Sequence, residues 1–396
     1  MIVSKLILTN YQNGILSLLL KNNRVQEISY TQHNDTGKIG DIYVAKVLNV
    51  VKNINAAFID YQKGKRGYLP LTGKYVPILL NRTYDGRILA GDEILVQMEK
   101  EAIREKEPVF TMNLSLAGKY SVITNANTTK SVSSKLNKSD KEILKQVIPS
   151  DCEYGIVVRT NAKELLIENN LTTLEQECKQ LISQMDKLLK EGIHRTCYSR
   201  IYQAPASYLT ELRDNVSWEY EQIVTDDAKI YHELDDFFAS YHPSKKEILS
   251  FYQDDSVTLL RLYGIDTKVQ ELLQTKVWLN SGAYLVIEQT EAMYVIDVNS
   301  GKNTTKKTSD SYILSINLEA AKEIMRQIRL RNLSGIILID FINMEEESMK
   351  EQLMQELKKL AHLDRIPTTV VDMTALDLVE ITRKKTKRSL KAQLES

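Results

Sequence analysis

The feature that most constrains the fold is a strand–helix–strand pattern in the last third of the chain. Residues 292–298 form an apolar strand segment, 318–331 carry apolar side chains at helical spacing, and 336–341 are almost continuously apolar. A continuous apolar run of this length is typical of a strand that is covered on both faces. A strand, a helix and a strand in this order predict a right-handed crossover and parallel pairing. We therefore expect an α/β domain in this region.

Each of the two strands ends in an aspartate. Asp297 closes the first strand, Asp340 closes the second, and Asn299 follows Asp297 by two residues. Because parallel strands that end together share one sheet edge, we expect these three side chains on the same side. Two carboxylates and a carboxamide form an all-oxygen site that suits Mg²⁺, with Mn²⁺ as the alternative, rather than zinc. On spacing alone, an equally good interpretation is that both aspartates cap the turns after their strands.

Length and charge set the wider frame. A chain of 396 residues is too long for one core and predicts two to four domains. The formal net charge is zero, which argues against a protein that holds nucleic acid by global positive charge. Local patches are the candidates instead, namely Lys63, Lys65 and Arg66 in one loop and the basic run at 383–388. For the second patch, an ordinary solvated surface is the favoured alternative.

Compartment and metal class follow from what the sequence lacks. It has no apolar stretch of about 20 residues that could span a membrane, and its first 20 residues do not read as a signal peptide. Three cysteines without CxxC spacing and five scattered histidines suit a reducing environment and predict no zinc site. We therefore expect a cytoplasmic protein.

The rest of the chain alternates between β-rich and helical regions. From 40 to 116, about five short strands separated by turn signals predict a small barrel, and the OB fold is the commonest such barrel that binds nucleic acid. The other predicted elements are two or three strands within 3–31, a loop at 125–140, strands at 155–159 and 164–167, an amphipathic helix from a Thr172–Glu175 capping box to Gly192, a mainly helical 203–276, strands at 283–289 and 368–373, and a helix at 344–360.

Several motifs together resemble the RNase E/G family of endoribonucleases over nearly the whole chain. These motifs are AMYVIDVNSG at 292–301, NLEAAKEI at 317–324, RQIRLR at 326–331, GIILIDFI at 335–342, GDIY at 40–43, AAFIDY at 56–61 and RGYLP at 66–70. The resemblance implies an α+β multidomain fold. Its expected parts are an RNase H-like domain split between 1–34 and 203–276, an inserted OB-fold β-barrel at 35–116, a 5′-sensor domain at 117–202, and a C-terminal α/β DNase I-like catalytic domain at 277–396.

The family's activity is the internal hydrolysis of single-stranded, A/U-rich RNA through a Mg²⁺-activated water. The products carry 5′-phosphate and 3′-hydroxyl ends, and the roles are RNA processing, including rRNA processing, and mRNA decay. By resemblance, Asp297 and Asp340 coordinate the magnesium ion, and Asn299 orients the water or the scissile phosphate. Phe58, Tyr68 and Lys106 match the RNA-binding residues of the barrel. Gly118, Val122, Arg159 and Thr160 match the pocket that reads a 5′-monophosphate.

For these matched residues, structural interpretations stay open beside the functional ones. Without the resemblance, Phe58 would be read as a core residue and Tyr68 as either core or surface. Lys106 would lie in a solvated loop, and an isolated Arg159–Thr160 pair would form a surface salt bridge.

The sequence also departs from the family pattern at several places. Asn161-Ala162 follows the Arg–Thr pair where Ala-Gly is usual, Asn343 replaces an aspartate, and 374–377 stands where a basic residue and a glycine are expected. The CPxC pair that links protomers through zinc is absent, as is a long tail. We therefore expect the short, RNase G-like form and a homodimer, if one forms, that zinc does not link. Two other hypotheses remain: a non-catalytic RNA-binding module, and a phosphodiesterase acting on another substrate.

Overall fold

The computed structural model describes residues 4–33, 37–102, 106–214, 220–301 and 310–395. By its internal contacts the chain divides into two compact units. We call Met1–Asn34 together with Tyr220–Ser396 the split unit, and Asp35–Glu219 the central unit. No helix within the described ranges is both long enough and apolar enough to cross a membrane.

The strands of the described chain are β1 (Ser4–Tyr11), β2 (Gly14–Lys21), β3 (Arg24–Gln32), β4 (Ile42–Val51), β5 (Ala56–Gln62), β6 (Lys65–Pro70), β7 (Glu93–Lys100), β8 (Val109–Thr111), β9 (Ser115–Ala117), β10 (Ser121–Thr124), β11 (Lys130–Val132), β12 (Gly155–Val158), β13 (Arg200–Tyr202), β14 (Gln222–Thr225), β15 (Leu249–Phe251), β16 (Lys276–Trp278), β17 (Tyr284–Gln289), β18 (Met293–Asn299), β19 (Gly335–Asp340), β20 (Thr368–Met373) and β21 (Leu378–Arg383).

The helices of the same ranges are α1 (Lys138–Gln146), α2 (Lys163–Ile167), α3 (Thr172–Gly192), α4 (Ser207–Asp214), α5 (Ala228–Tyr241), α6 (Leu259–Leu262), α7 (Ile265–Leu273), α8 (Asp310–Leu330), α9 (Glu347–His362) and α10 (Leu390–Leu394). Short 3-10 turns lie at Lys52–Ile54, Thr160–Ala162 and Pro243–Ile248.

Five strands of the central unit close into a barrel. Strands β4, β5, β6, β8 and β7 are hydrogen-bonded in that order, and β7 pairs back with β4. All of these pairings are antiparallel except the one between β6 and β8. Its core includes the fully buried side chains of Tyr43, Ile59 and Phe110. The small barrel predicted for 40–116 is confirmed, and it fits the expected OB fold.

The second sheet of the central unit has the strand order β11-β12-β10-β9 and packs against α3. The amphipathic helix is confirmed from Thr172 to Gly192, but its predicted capping box is wrong. The N-cap position is held by Leu171, whose apolar side chain cannot accept a hydrogen bond, and the Thr172 hydroxyl donates to the side chain of Asn170 instead. The segment predicted as a strand at 164–167 lies in α2, and the predicted loop at 125–140 contains β11 and the start of α1. Short apolar runs do not by themselves distinguish a strand from a helix.

The first sheet of the split unit joins two distant parts of the sequence. Its order is β15-β14-β1-β2-β3, and β1 pairs with β14 in parallel. The three strands predicted within 3–31 are confirmed as β1, β2 and β3. The region 203–276 holds not only helices but also β14 and β15, which the sequence pattern did not predict.

The second sheet of the split unit has the order β16-β17-β18-β19-β21-β20. The predicted parallel pairing of β18 with β19 is confirmed, with α8 between them in the chain. The expectation that 336–341 is covered on both faces is wrong, because Ile336 is 48% exposed while Ile337 and Ile339 are fully buried. Helices α8 and α9 pack on the buried face alone. The domain boundaries expected from the resemblance stay predictions, and the one at 34–35 lies outside the described residues.

Candidate catalytic site and RNA-binding residues

Asp297 and Asp340 are direct neighbours across β18 and β19. The parallel register pairs Asp297 with Asp340, and each residue of 293–296 with one of 336–339. Register partners in a sheet point to the same face, from strands that lie about 4.8 Å apart. The two carboxylates that the sequence pattern placed at strand ends therefore stand side by side.

The carboxylates stand on the sheet face opposite the helices. Ile296 and Ile339, which precede them in the chain, are fully buried in the core beneath α8 and α9. Since side chains alternate along a strand, Asp297 and Asp340 point to the other face. Asp340 is exposed and Asp297 is half-buried. We call this surface the open face and define it by Lys276, Trp278, Tyr284, Val286, Val295, Asp297, Asn299, Ile336 and Asp340.

Asn299 belongs to the same face and holds one of the carboxylates. Its side-chain amide donates to Oδ2 of Asp297 at 2.6 Å. The chain then turns at Gly301, which has a φ of +74°. A Cβ atom there would lie 2.4 Å from the backbone oxygen of Gly282, in the turn between β16 and β17. Only glycine allows these two turns to touch, so Gly301 fixes where the strand carrying Asn299 ends.

Helix α8 fastens the loops on both sides of the carboxylates. The fully buried Asn317 donates its amide to the backbone oxygen of Ile342 at 2.8 Å and accepts from the Ile342 N–H at 3.2 Å. Glu319 accepts from the backbone N–H of Asn280 at 2.8 Å. The first contact holds the loop that follows Asp340, and the second holds the turn between β16 and β17.

The electrostatics of the site favour a bound cation. The pKa of the Asp340 carboxyl is raised above its usual range, first because it is partly desolvated and second because Asp297 is negatively charged. Two carboxylates held side by side repel each other, and a divalent cation between them relieves that repulsion.

The donor set also fits magnesium. Two carboxylates and a carboxamide offer only oxygen ligands, and magnesium usually binds one or two carboxylates while it keeps several waters. Within the described ranges, no group of three or more His, Cys, Asp or Glu side chains could hold a metal ion. The prediction of a metal site therefore depends on Asp297, Asp340 and the neighbouring Asn299.

Phe58 and Tyr68 lie together outside the core of the barrel. They are register partners on β5 and β6, with ring centroids 5.9 Å apart and planes inclined by 69°. Both rings are partly exposed, whereas the adjacent Ile59 and Leu69 are fully buried. The alternative that either ring belongs to the core is therefore wrong.

Basic side chains lie at one end of this aromatic pair. Lys106 is exposed and leads into β8, whose Val109 pairs with Tyr68. The hairpin between β5 and β6 carries three exposed basic residues, Lys63, Lys65 and Arg66. A polyanion that reached the aromatic pair would meet positive charge at this end of β6.

Arg159 and Thr160, matched to the 5′-phosphate pocket, both make hydrogen bonds within the protein. The Arg159 guanidinium donates from Nη1 to the backbone oxygen of Gly118 and to Oδ1 of Asp214, each at 2.8 Å. The Thr160 hydroxyl shares a hydrogen bond of 2.9 Å with the hydroxyl of Ser133. Asp214 thus already takes one of the guanidinium hydrogens that a negatively charged ligand of Arg159 could accept.

Asn161, one of the departures from the family pattern, helps to hold Asp214 there. Asn161 is buried and donates its amide to the backbone oxygen of Arg213 at 2.9 Å, and Arg213 donates from Nε to Asp214 at 2.8 Å. Burial pulls the pKa of Asp214 up, but hydrogen bonds from Arg213 and Arg159 outweigh it and leave the pKa lowered. The role of Asp214 was missed because its partner Arg159 is 55 residues away in sequence.

Packing gives a reason for glycine at position 118 besides the predicted role in phosphate binding. The buried Glu177 carboxylate accepts from the three successive backbone N–H groups of 119–121, at 2.7 to 2.9 Å. A Cβ atom on Gly118 would lie 2.3 Å from Cδ of Glu177. Val122 is half-buried in the next strand, β10. Glu177 therefore shapes the turn on which Arg159 rests.

Arg383, the first residue of the predicted basic patch, is not on the surface. Its side chain is buried, where Nε donates to Asp364 at 2.8 Å and Nη1 donates to Asn332 at 2.7 Å. The interpretation as a surface residue is wrong for Arg383, whereas Lys384 and Lys385 are exposed.

The structure also describes two other departures from the family pattern, Asp377 and Asn343. Asp377 has a φ of +59°, in the left-handed region that favours glycine, and forms an ion pair with Lys350 at 2.5 Å. Asn343 is exposed, three residues after Asp340.

Comparison with known proteins gives the relationship. The model of the Ribonuclease E/G family matches residues 115–386, more than half of the chain. Ribonuclease G of Salmonella typhimurium (strain SL1344) is 30% identical over 379 residues, which cover 92% of this chain and 76% of that protein. Ribonuclease G of Escherichia coli (strain K12) gives the same figures. Ribonuclease E of Synechocystis sp. PCC 6803 is 30% identical over 362 residues, covering 89% of this chain and 53% of that protein. The resemblance inferred from the motifs is confirmed, and the chain belongs to the ribonuclease E/G family.

Proposed function

We propose that this protein is a Mg²⁺-dependent endoribonuclease that hydrolyses single-stranded, A/U-rich RNA and leaves 5′-phosphate ends. The observation that carries the proposal is the parallel register of Asp297 and Asp340 on the open face, with Asn299 bonded to the first carboxylate. Family membership and the names of the relatives, Ribonuclease G and Ribonuclease E, support the reaction class.

The three side chains take different roles. Asp297 and Asp340 would hold the ion between them, and its charge would offset both the partial desolvation and the repulsion from Asp297 that raise the pKa of Asp340. Asn299 orients Asp297 through its 2.6 Å hydrogen bond and presents an amide to the scissile phosphate. When bound, magnesium supplies positive charge beside a phosphoryl oxygen and makes water a better nucleophile.

RNA binding is assigned to the outer surface of the barrel. Phe58 and Tyr68 offer partly exposed rings that stack on any base, and the exposed Lys106 offers charge to a phosphate. We assign Arg159 and Thr160, with Gly118 and Val122, to recognition of a 5′-monophosphate. The carboxylate of Asp214, which accepts from Nη1 of Arg159, competes with that phosphate for the guanidinium charge.

The test is a cleavage assay with a matched control. A single-stranded A/U-rich RNA labelled internally, made with either a 5′-monophosphate or a 5′-hydroxyl, is incubated in Mg²⁺ with wild type, Asp297→Asn and Asp372→Asn. Asp372 is an exposed aspartate on β20 of the same sheet, so its variant changes the charge equally. We expect internal cutting by wild type and Asp372→Asn, and loss of cutting with Asp297→Asn or EDTA. The 5′-phosphate ends of the products should be joined by RNA ligase to an RNA that ends in a 3′-hydroxyl.

Each alternative function predicts a different result. Cutting by Asp297→Asn at the wild-type rate would overturn the site assignment. RNA binding without cutting by any of the proteins would favour the non-catalytic module. Hydrolysis of a small phosphodiester, with RNA left intact, would favour the other phosphodiesterase. Equal rates on the two 5′ ends would remove only the sensor assignment.

A further inference from the structure

An aromatic pair with a lysine stands on the open face, apart from the three side chains of the proposed metal site. The indole of Trp278 is 63% exposed, and its ring centroid lies 5.2 Å from that of Tyr284. The Lys276 ammonium lies over both rings, 4.1 Å from the indole centroid and 3.6 Å from the phenol centroid. Two rings and a cation are therefore assembled at the surface of the sheet.

The strand register connects this cluster to the carboxylates. Tyr284 is the register partner of Trp278 on one side and of Asn299 on the other, so the three side chains form one row across β16, β17 and β18. Two residues along, Lys276 is in register with Val286, which is in register with Asp297. Since neighbouring strands are about 4.8 Å apart, the backbone of Trp278 lies roughly 10 Å from that of Asn299, two strands away.

A purely structural role does not account for Trp278. Tryptophan contributes to stability mainly through the apolar surface that it buries, and this indole keeps most of its surface in water on an edge strand. A tilted ring pair with a nearby ammonium instead offers a flat apolar surface and a positive charge together. That combination binds a nucleobase and its phosphate without regard to base identity.

We propose that Lys276, Trp278 and Tyr284 form a stacking subsite for a nucleobase of single-stranded RNA, adjacent to the scissile phosphate. The base stacks on the exposed indole, while the Lys276 ammonium pairs with the phosphate of the same nucleotide. This proposal rests on the proposed function for the identity of the polymer. It is separate from the barrel aromatics, which belong to the central unit.

Fluorescence gives a direct test, because the chain contains two tryptophans, Trp218 and Trp278. In Trp218→Phe, Trp278 is the sole indole. We expect its emission to be quenched saturably when an unstructured A/U-rich RNA oligonucleotide is added in EDTA, which prevents cutting. Emission that stays unchanged while the RNA binds, as measured by anisotropy, would overturn the subsite.

Binding constants give a second test that does not depend on folding of the Trp218 variant. Trp278→Ala is expected to raise Kd for the RNA about fivefold or more, the effect of losing one base stack. The matched control is Phe251→Ala, which removes an aromatic ring that is 43% exposed on another sheet of the same unit. The control should leave Kd unchanged, and an equal rise in both variants would contradict the proposal.

An abasic substitution identifies the nucleotide concerned. Oligonucleotides with one base removed are bound to wild type and to Trp278→Ala. We expect one position, next to the cleavage site, where removing the base weakens binding to wild type but not to Trp278→Ala. If the loss of affinity from removing the base and the loss from Trp278→Ala are additive at every position, Trp278 does not stack on a base of the bound RNA and the proposal fails.

The two proposals can fail separately. If Asp297→Asn cuts RNA like wild type while RNA still quenches Trp278, the catalytic assignment fails and the subsite stands. If Asp297→Asn abolishes cutting while Trp278→Ala binds RNA with the wild-type Kd, the subsite alone fails.

Discussion

Asp214 occupies the guanidinium that is assigned to the 5′-monophosphate of RNA. Nη1 of Arg159 already donates to Asp214 at 2.8 Å, so this carboxylate partly neutralises the charge that a phosphate would pair with. We therefore predict that Asp214→Asn binds 5′-monophosphorylated RNA more tightly than wild type does. Binding of 5′-hydroxyl RNA should change little, since that end makes no use of the released charge.

The exposure of the pair sets the size of the effect. The side chains of Arg159 and Asp214 are 23% and 43% exposed, so water screens the interaction. Ion pairs of this kind contribute about 0.2–1 kcal/mol. Releasing Arg159 should therefore lower Kd for the monophosphorylated RNA by roughly 1.4-fold to fivefold.

The assay compares Kd values by fluorescence anisotropy at one salt concentration, in EDTA, for the same RNA with either 5′ end. The control is Asp151→Asn, which removes an exposed carboxylate from the same unit. The reasoning is refuted if Asp214→Asn leaves the ratio of the two Kd values unchanged. It is refuted equally if both RNAs gain by the same factor, because that result reflects net charge alone.

The pKa of Asp214 fixes the expected pH dependence. Burial raises this pKa, but the guanidiniums of Arg213 and Arg159 lower it by more, so the net pKa is lowered. The carboxyl therefore stays charged at pH values where an ordinary aspartate begins to protonate. The competition with phosphate should persist across the neutral range. It should weaken only as the pH falls through the lowered pKa.

Three further predictions concern stability and RNA binding. Asp364→Ala leaves the buried Arg383 guanidinium without its carboxylate and should lower the free energy of unfolding by about 3–5 kcal/mol, measured by urea denaturation. Burial raises the pKa of Asp364, but Arg383 lowers it by more, so the net pKa is lowered. Wild type should therefore lose this stabilisation as the pH falls through the lowered pKa. Gly118→Ala forces a methyl group against Glu177 and should cost about 1–3 kcal/mol in the same measurement. Phe58→Ala should weaken single-stranded RNA binding by about 1–3 kcal/mol in a filter-binding titration, through the loss of one stacking surface.

Specific outcomes would contradict these three expectations. A pH-independent loss in Asp364→Ala would mean that the charge of the carboxylate is not what stabilises the fold. Wild-type stability in Gly118→Ala would show that the Glu177 carboxylate moves away easily. For Phe58, the matched control is again Phe251→Ala, and an equal loss in both would assign the effect to surface apolarity in general.

Features encoded by local periodicity could be predicted from the sequence. The apolar runs before Asp297 and Asp340 identified β18 and β19, and the helical spacing between them identified α8 as the connection. Because such a connection favours parallel strands, the pairing of the two aspartates followed without tertiary information.

Features that depend on distant partners could not be predicted. Strands β14 and β15 are only four and three residues long and are completed by pairing in the sheet that contains β1. The open face was missed because a run such as 336–341 does not reveal whether one side or both sides will be covered. Its exposed Ile336 shows that apolar residues need not be buried.

The same limit applies to side chains in the candidate sites. Phe58 and Tyr68 could be singled out only by their resemblance to family motifs, since an aromatic residue in a strand is more often core. Asp214 and Glu177 carry no local motif, and the contacts that tie them to the predicted phosphate pocket, with Arg159 and with the N–H groups of 119–121, are distant in sequence. Arg383 was misread because a basic run predicts a surface, while this member of the run is held inside by Asp364.

The most direct measurement of the central claim is the stoichiometry of Mn²⁺ binding, followed by electron paramagnetic resonance of the free ion. Wild type and the control Asp372→Asn are expected to bind one ion that Mg²⁺ displaces, and Asp340→Asn to lose that ion together with RNA cleavage. The account is contradicted if Asp340→Asn binds the ion as wild type does, or if it still cuts RNA at the wild-type rate.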